Sequence, residues 1–188
     1  MSNDLFTTPV ATLQYPNLAK SRADDNGREK FSACLIFDAD PETPEGSVAL
    51  SDLKSAVLAA ATAKFGDKAK DMLKSGALRN PLRDGAQKDD KPGFGEGKLF
   101  FNASTMFQPV VVDASLQDIL DIEGQIYPGC KVRAQINFYG YDAKGNKGVA
   151  VGLTAIQKWS EGERLAGGID KKAAFGAPKK AAAEDMWD

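Results

Sequence analysis

Histidine is absent from this chain of 188 residues, and cysteine occurs only twice, at Cys34 and Cys130. The lack of histidine excludes Ser-His-Asp and Cys-His nucleophiles, histidine-ligated zinc and proton transfer by imidazole. Two cysteines far apart in the sequence can form neither a four-thiolate zinc site nor a redox CxxC pair. We therefore expect no catalytic residues, no bound metal and no cofactor.

A long apolar run and a targeting segment are also missing. No stretch of the sequence approaches the roughly 20 apolar residues that cross a bilayer. The N-terminal segment MSNDLFTTPVATLQ has neither the positive start nor the continuous apolar core of a secretory signal. We expect a cytoplasmic protein with no membrane partner, whose Cys34 and Cys130 are reduced core residues.

The chain has little net charge, with 24 Lys and Arg against 26 Asp and Glu and a formal charge of −2. That balance argues against a nucleic-acid partner only if the charges are evenly mixed along the sequence. Hydrophobic residues at 43% and charged residues at 27% are near the average of globular proteins. The length suits one domain followed by a tail.

Several short β segments dominate the pattern. Residues 29–38 and 98–103 predict buried strands, 109–113 predicts a third, and 131–141 and 147–158 predict a hairpin. The punctuated N-terminal stretch 5–20 predicts an extended segment or an edge strand, because Pro9 and Pro16 interrupt it. Helical spacing over 52–64 and 67–74 predicts a helical insertion between the second and third strands. This count favours a mainly β protein, either a small barrel or a sandwich. A five-stranded OB-fold barrel with a helical insertion fits it, although the count alone does not single out that fold.

The 131–158 hairpin is the best candidate binding surface. Its first strand alternates strictly, with Val132, Ala134, Ile136 and Phe138 on the core side. Five cations of the hairpin oppose a single carboxylate, Asp142; they are Lys131, Arg133, Lys144, Lys147 and Lys158. Tyr139 and Tyr141 share the outward face with Lys131 and Arg133. Cations that follow phosphates and rings that stack on bases suit single-stranded nucleic acid, although such residues are also common on an ordinary solvated sheet face.

A long glycine-rich loop over residues 80–97 supplies further candidates. Phe94 lies within this loop and Phe107 precedes Pro109, where each ring could stack on a base or fill the core. Arg83 in the loop and Lys98 at its end are candidate contacts for a DNA backbone. The predicted DNA contacts are thus Lys131, Arg133, Tyr139, Tyr141, Lys147, Lys158, Phe107, Lys98 and Arg83.

The composition changes near residue 166, so we expect a domain over 1–165 and a disordered tail over 166–188. The tail ends in three acidic side chains around one tryptophan; its last residues are Glu184, Asp185, Met186, Trp187 and Asp188. Such a segment can imitate a DNA strand, since carboxylates replace phosphates and the indole replaces a base. It would compete for the protein's own DNA site or dock on partner enzymes, unless it merely adds solubility.

Two other functions remain open at this point. Asp84, Asp89 and Asp90 in the glycine-rich loop, with Asp113, Asp118 and Asp121 further on, could form the magnesium site of a nuclease. Acidic loop residues are more often simply solvated. A virion or assembly protein, which would form a large symmetric oligomer without binding DNA, is the second alternative.

The longest informative run is IYPGCKVRAQINFYGYDAKGNKGVAVGLTAIQKW, residues 126–159, preceded by LRDG at 82–85 and by FFNAS and QPVVVD within 100–113. These segments resemble the phage single-stranded-DNA-binding protein family once catalogued as a domain of unknown function. The resemblance extends to about residue 168 and implies an OB-fold that coats single-stranded DNA in phage replication, recombination or repair, in the host cytoplasm. It also implies an acidic C-terminal tail that contacts replication enzymes, and it leaves a homo-oligomer among the expected states.

Overall fold

The structure is a computed structural model that describes residues 4–165 and 175–176. The strands are β1 (Phe6–Thr7), β2 (Ala11–Ala23), β3 (Glu29–Phe37), β4 (Arg83–Asp84), β5 (Leu99–Thr105), β6 (Val110–Val112), β7 (Lys131–Ala143) and β8 (Asn146–Ser160). The helices are α1 (Leu50–Phe65), α2 (Ala69–Ser75) and α3 (Ile122–Gln125), and a 3₁₀ turn spans Gly85–Lys88. The predicted tail, apart from residues 175–176, lies outside the described residues.

Five strands pair in a closed ring, in the order β2, β3, β5, β8, β7 and back to β2. All of these pairings are antiparallel except that between β5 and β8, which is parallel. This order, with the helices α1 and α2 inserted between the second and third strands of the ring, is that of an OB-like fold. The predicted fold class is confirmed.

The alternating pattern of β7 and β8 accounts for the core of the ring. Val132, Ala134, Ile136 and Phe138 on β7 are all at most 4% exposed, as the alternation predicts. Val149, Val151 and Leu153 on β8 face the same core. The two strands pair from Lys131 with Ser160 to Ala143 with Asn146, so the hairpin is the longest ladder of the sheet.

The N-terminal stretch differs from its prediction as an edge strand. β2 pairs with β3 on one side and β7 on the other, so it is an interior member of the ring. Pro16 is tolerated there because the β2–β3 register shifts between Gln14 and Asn17, which is a bulge. Tyr15 lies in this bulge with a φ of 48°, in the left-handed region.

The helical insertion packs onto the core through one apolar face of α1. Leu53, Val57 and Ala61 recur at helical spacing, are at most 3% exposed and belong to the main core. Gly66 follows α1, and Gly76 ends α2 in the left-handed conformation with its N–H donating to the Leu73 carbonyl. No helix of the described residues is long and apolar enough to cross a membrane.

Candidate nucleic-acid interface

A groove of about 640 Å³ lies on the outward face of β5 and β8, beside the segment that follows α2. Its polar and aromatic lining comes from Arg79, Asn80, Arg83, Asn102, Ser104 and Tyr141. Two arginines and no carboxylate line the groove. Neither arginine side chain forms an ion pair within the part of the chain that the structure describes. The groove is therefore electropositive.

Arg79 is held against β8 by its backbone. Its N–H donates to the Lys147 carbonyl at 2.9 Å, and its carbonyl accepts from the Val149 N–H at 3.0 Å. This parallel bridge centres on Gly148, where an added Cβ would lie 2.6 Å from the Arg79 carbonyl oxygen. Only glycine allows so close an approach, so Gly148 fixes the position of the Arg79 backbone. The Arg79 side chain is exposed.

Arg83 is placed by the short β4–β5 ladder, in which it pairs with Phe100. Paired residues share a face, and the Arg83 guanidinium lies 4.9 Å from the centre of the Phe100 ring. The Lys88 ammonium lies 5.1 Å from the same ring. Both cations thus lie over an aromatic ring and form no ion pair with any described carboxylate, so their charges remain available to a phosphate.

The outward face of β3 and β5 is divided into a covered half and an open half. Phe94 of the glycine-rich loop packs edge-on against Phe100 at 4.9 Å, above Cys34 and Ile36, and these four side chains form a small second core. Burial raises the pKa of the Cys34 thiol to about 12, so this thiol stays protonated and unreactive. Beyond this cover, Asn102 is exposed and Ser104 half-buried. They offer hydrogen bonds to bases or sugars.

Two of the predicted DNA contacts, Arg83 and Tyr141, meet in this groove. Tyr139 lies beside it, since it pairs with the groove residue Ala150 and is 43% exposed. Tyr139 and Tyr141 share the outward face of β7, as their sequence parity predicts. The groove thus combines cations, small polar groups and aromatic rings in one place.

Arg133 lies outside the groove, and its N–H groups are engaged within the protein. Nε and Nη2 donate to Gln157 Oε1 at 2.9 and 2.6 Å, and Nη1 donates to the Glu45 carbonyl and to Ser47 Oγ, both at 3.0 Å. The guanidinium also stacks 4.7 Å from the Trp159 ring centre. Arg133 ties the loop before α1 to the hairpin, and its contact with a phosphate stays a prediction.

The remaining predicted lysines are also separated from the groove or paired within the chain. Lys158 is 13% exposed and donates to Glu161 at 2.6 Å, and Lys131 donates to Thr12 Oγ1 at 2.6 Å. Lys147 lies 3.9 Å from Asp142, and Lys98 lies 3.7 Å from Asp38. The ion pairs of Lys147 and Lys98 are exposed enough to open for a phosphate at small cost.

Of the two candidate rings near the loops, one is exposed and one is packed. Phe107 is 82% exposed after β5, outside the groove. Phe94 is 8% exposed and fills the second core, which is one of the two roles that its sequence position allows. The ring of Tyr15 lies over Phe94, with 6.3 Å between centres and 26° between planes, and is 45% exposed. Tyr15, and not Phe94, therefore offers an exposed ring on this part of the outward surface.

Sequence reasoning missed Arg79, Asn102, Ser104 and Tyr15. Arg79 has no strand pattern around it, and only its bridge to β8 places it beside Tyr141. Asn102 and Ser104 could have been found, because they alternate with the core residues Phe101 and Ala103 on β5. Proline is compatible with either an edge strand or a bulge, so Pro16 alone does not show the bulge that exposes Tyr15.

Several of the acidic residues considered as metal ligands stabilise turns instead. Asp84 Oδ1 accepts from the Ala86 N–H, Asp113 Oδ1 from the Ser115 and Gln117 N–H groups, and Asp121 Oδ1 from the Gly124 N–H. Within residues 4–165 and 175–176, no three Asp, Glu, Cys or His side chains are grouped so that they could hold a metal ion. No observation favours the nuclease alternative.

Replacing Arg133 with alanine is expected to destabilise the fold by roughly 1–3 kcal/mol, because it removes charge-assisted hydrogen bonds that join three segments. Thermal unfolding measures this loss, and Lys144→Ala at the exposed hairpin tip is the matched control. Arg133→Lys should not restore stability, since an ammonium cannot replace the planar fork. A variant that melts normally but binds DNA poorly would instead identify Arg133 as a phosphate contact.

Comparison with known proteins gives a family model and a relative that match this chain. A family model described as "Enterobacter phage Enc34, ssDNA-binding protein" matches residues 5–187. Putative protein p50 of Acyrthosiphon pisum secondary endosymbiont phage 1 is 32% identical over 123 residues, which are 63% of this chain. The match spans 65% of that relative's length.

Solved structures of phage proteins share the fold. The single-stranded DNA-binding protein from bacteriophage Enc34 in complex with ssDNA matches with a TM-score of 0.68 and 21% identity, over 86% of this chain and 89% of that one. The bacteriophage T7 protein gp2.5, a single-stranded DNA binding protein, matches with a TM-score of 0.60 and 14% identity, over 90% and 99%. At these identities the structures show a common fold.

Proposed function

The chain belongs to the family of the Enterobacter phage Enc34 ssDNA-binding protein, and we propose that it binds single-stranded DNA with little sequence preference, without catalysing a reaction. It would coat the strand during phage DNA replication, recombination or repair, in the host cytoplasm. No metal or cofactor is needed for this role. The replication role and the location rest on the family alone.

The electropositive groove carries the proposal. Arg79 and Arg83 are exposed, have no carboxylate partner among the described residues, and lie beside the ring of Tyr141. A groove of cations follows a phosphate backbone, and a ring stacks on any base because every base has a π face. Asn102 and Ser104 add hydrogen bonds without charge. This combination suits an unpaired strand rather than a protein or a small metabolite.

The expected energetics are those of a moderate-affinity, salt-sensitive binder. Each stacked base contributes roughly 1–3 kcal/mol, and each neutralised phosphate contributes about −0.7 to the slope of log affinity against log salt. If only Arg79 and Arg83 contact phosphates, the slope of log affinity against log salt should be near −1.4, from ~0.7 per contact. If five cations contact phosphates, the slope should be near −3.5, from the same ~0.7 per contact. Duplex DNA should bind more weakly, because its bases already stack on one another.

The C-terminal residues Glu184, Asp185, Met186, Trp187 and Asp188 lie outside the described residues, so their role rests on chemistry alone. Three carboxylates around an indole are complementary to a groove that binds negative charge and stacks on rings. We infer that this segment competes with DNA for the groove and docks on basic surfaces of replication or recombination enzymes once DNA displaces it.

The test is an electrophoretic shift assay with a labelled oligo-dT and its duplex counterpart, over a range of salt, with and without magnesium. We expect a shift of the single strand, a negative salt slope and no shortening of the oligonucleotide. A chain that ends at residue 183, run in the same titration, should bind more tightly at low salt.

A different result would contradict each part of the proposal. Failure to bind oligo-dT at low salt, or an affinity that does not change with salt, overturns single-strand binding. Magnesium-dependent shortening that Asp84→Ala abolishes points to a nuclease. Unchanged affinity on removing residues 184–188 overturns competition by the tail but leaves DNA binding intact.

A further inference from the structure

Exposed apolar side chains are concentrated in one short part of the chain. Of the nine large hydrophobic residues exposed in the described ranges, five fall between residues 106 and 120: Met106, Phe107, Val110, Leu116 and Leu120. Leu120 is 93% exposed and Phe107 is 82% exposed. Apolar groups gathered in this way mark an interaction surface more often than isolated ones do.

Backbone pairing brings part of this set together. Val112 bridges Asp118 in antiparallel register, and the Ile119 N–H donates to the Val111 carbonyl at 2.9 Å. The same register places Val110 opposite Leu120, while Val111 and Ile119 are both buried. Val110 and Leu120 therefore form an exposed apolar pair on the outward face of this hairpin, which we call the β6 patch (residues 106–120).

The β6 patch and its flank are acidic. No Lys or Arg occurs between Lys98 and Lys131, and the carboxylates in this stretch are Asp113, Asp118, Asp121 and Glu123. Glu123 pairs with Lys20 at 3.4 Å, whereas the three aspartates form no ion pair among the described residues. A phosphate backbone would be repelled from such a surface. The occupant of the β6 patch must therefore be a surface that carries cations as well as apolar contact area.

The helical insertion of the same protein has the complementary charge. Its cations are all exposed, and none forms an ion pair in the described residues; they are Lys54, Lys64, Lys68, Lys70 and Lys74. Three acids, Asp52, Asp67 and Asp71, oppose these five cations over residues 50–75. We call the exposed surface of α1 and α2 the helical face.

The two surfaces lie at opposite ends of β8. Arg79, just after α2, bridges β8 at Gly148, whereas β6 pairs with β8 around Ile156. Eight residues of strand separate these points, which is roughly 25 Å. Surfaces of opposite charge at opposite ends of one molecule cannot meet within it, but they can meet between copies.

The groove runs along β8 from the helical face towards the β6 patch. Its lining begins at Leu73 and Arg79 beside the helical face and extends to Ser104, two residues before Met106 of the β6 patch. A strand that leaves the groove at Ser104 would pass directly to a second copy docked there.

We propose that the β6 patch of one copy docks on the helical face of the next, so that copies associate head to tail along single-stranded DNA. This inference rests on the proposed DNA binding. The contact is heterologous, since the two surfaces differ, so it propagates along a strand instead of closing into a dimer. The DNA strand aligns successive copies, and the contact between them makes their binding cooperative.

The first test compares a dT oligonucleotide long enough for one copy with a long dT strand, by titration and by mass measurement of the complexes. The variant Leu116→Ser/Leu120→Ser removes two exposed side chains of the β6 patch. We expect its affinity for the long strand to fall about tenfold while its affinity for the short one is unchanged. Leu5→Ser, at a 52% exposed leucine elsewhere, is the matched control.

The second test exchanges charges across the contact. Asp118→Lys and Lys70→Asp should each weaken long-strand binding, and the two changes in one chain should restore it, because each contact then pairs the reversed charges. Asp25→Lys, at an exposed acid in the β2–β3 turn, is the control for added positive charge. Purely additive effects would overturn the head-to-tail contact.

The outcomes separate this inference from DNA binding itself. Equal affinity of the unaltered chain for each site on long and short strands overturns head-to-tail association and leaves DNA binding intact. Loss of short-strand binding in the unaltered chain overturns the proposed function instead.

Discussion

Replacing Tyr139 and Tyr141 together with alanine should weaken single-strand binding by roughly 2–6 kcal/mol, which is about 30-fold or more. Tyr141 lines the groove, and Tyr139 pairs with the groove residue Ala150 on the same outward face of β7. If each ring stacks on one base, each alanine removes the stacking energy of one base. Binding isotherms with an oligo-dT of fixed length, at fixed salt, measure the loss.

The controls for the tyrosines separate stacking from hydrogen bonding and from folding. Tyr139→Phe/Tyr141→Phe keeps both rings and should bind almost normally. Because the side chains are on the outward face, thermal unfolding of the alanine variant should change little. The salt slope should also be unchanged, since no phosphate contact is lost. Normal affinity of the alanine variant would remove both tyrosines from the site.

The fold can be predicted from sequence periodicity in those strands and helices that bury only one face. Val132 to Phe138 alternate strictly on β7, and a strand with one buried face has only one register that hides these side chains. The α1 helix was equally predictable, because Leu53, Val57 and Ala61 recur at helical spacing. In both elements the local pattern and the tertiary environment agree.

The place of β2 in the ring was not predictable from its prolines. Proline removes a ladder hydrogen bond, which normally confines a strand to an edge. In this chain a bulge at Tyr15 absorbs Pro16, and whether a bulge forms depends on the partner strand β3. That information is absent from the stretch around Pro16 itself.

The site was only partly predictable because net charge along a hairpin does not show which cations have intramolecular partners. Arg133 and Lys158 have the right strand parity, but Gln157 and Glu161 lie close enough to bind them. Arg79 and Arg83 lie far from β7 in sequence and reach the groove through a bridge to β8 and the β4–β5 ladder. Strand parity assigns a side chain to a face, whereas its availability depends on contacts from distant segments.

Replacing Arg79 and Arg83 together with alanine should reduce the steepness of the salt dependence by about 1.4, since each phosphate contact contributes ~0.7. At moderate salt the affinity should fall by roughly 2–4 kcal/mol, because both arginines make charge-assisted contacts at an exposed site. The loss should be the same for dT, dA and dC strands, since phosphates carry no base identity. Titrations at several salt concentrations give both quantities.

Matched variants isolate the arginine contribution. Lys144→Ala removes a cation from the hairpin tip, outside the groove, and should leave both the slope and the affinity nearly unchanged. Arg79→Lys/Arg83→Lys should preserve the slope but lose part of the affinity, because an ammonium keeps the charge without the bidentate fork. Arg83→Ala also loses its contact with Phe100, so thermal unfolding must show that the small second core survives. A stable double alanine variant with an unaltered salt slope would mean that the strand follows another path across the protein.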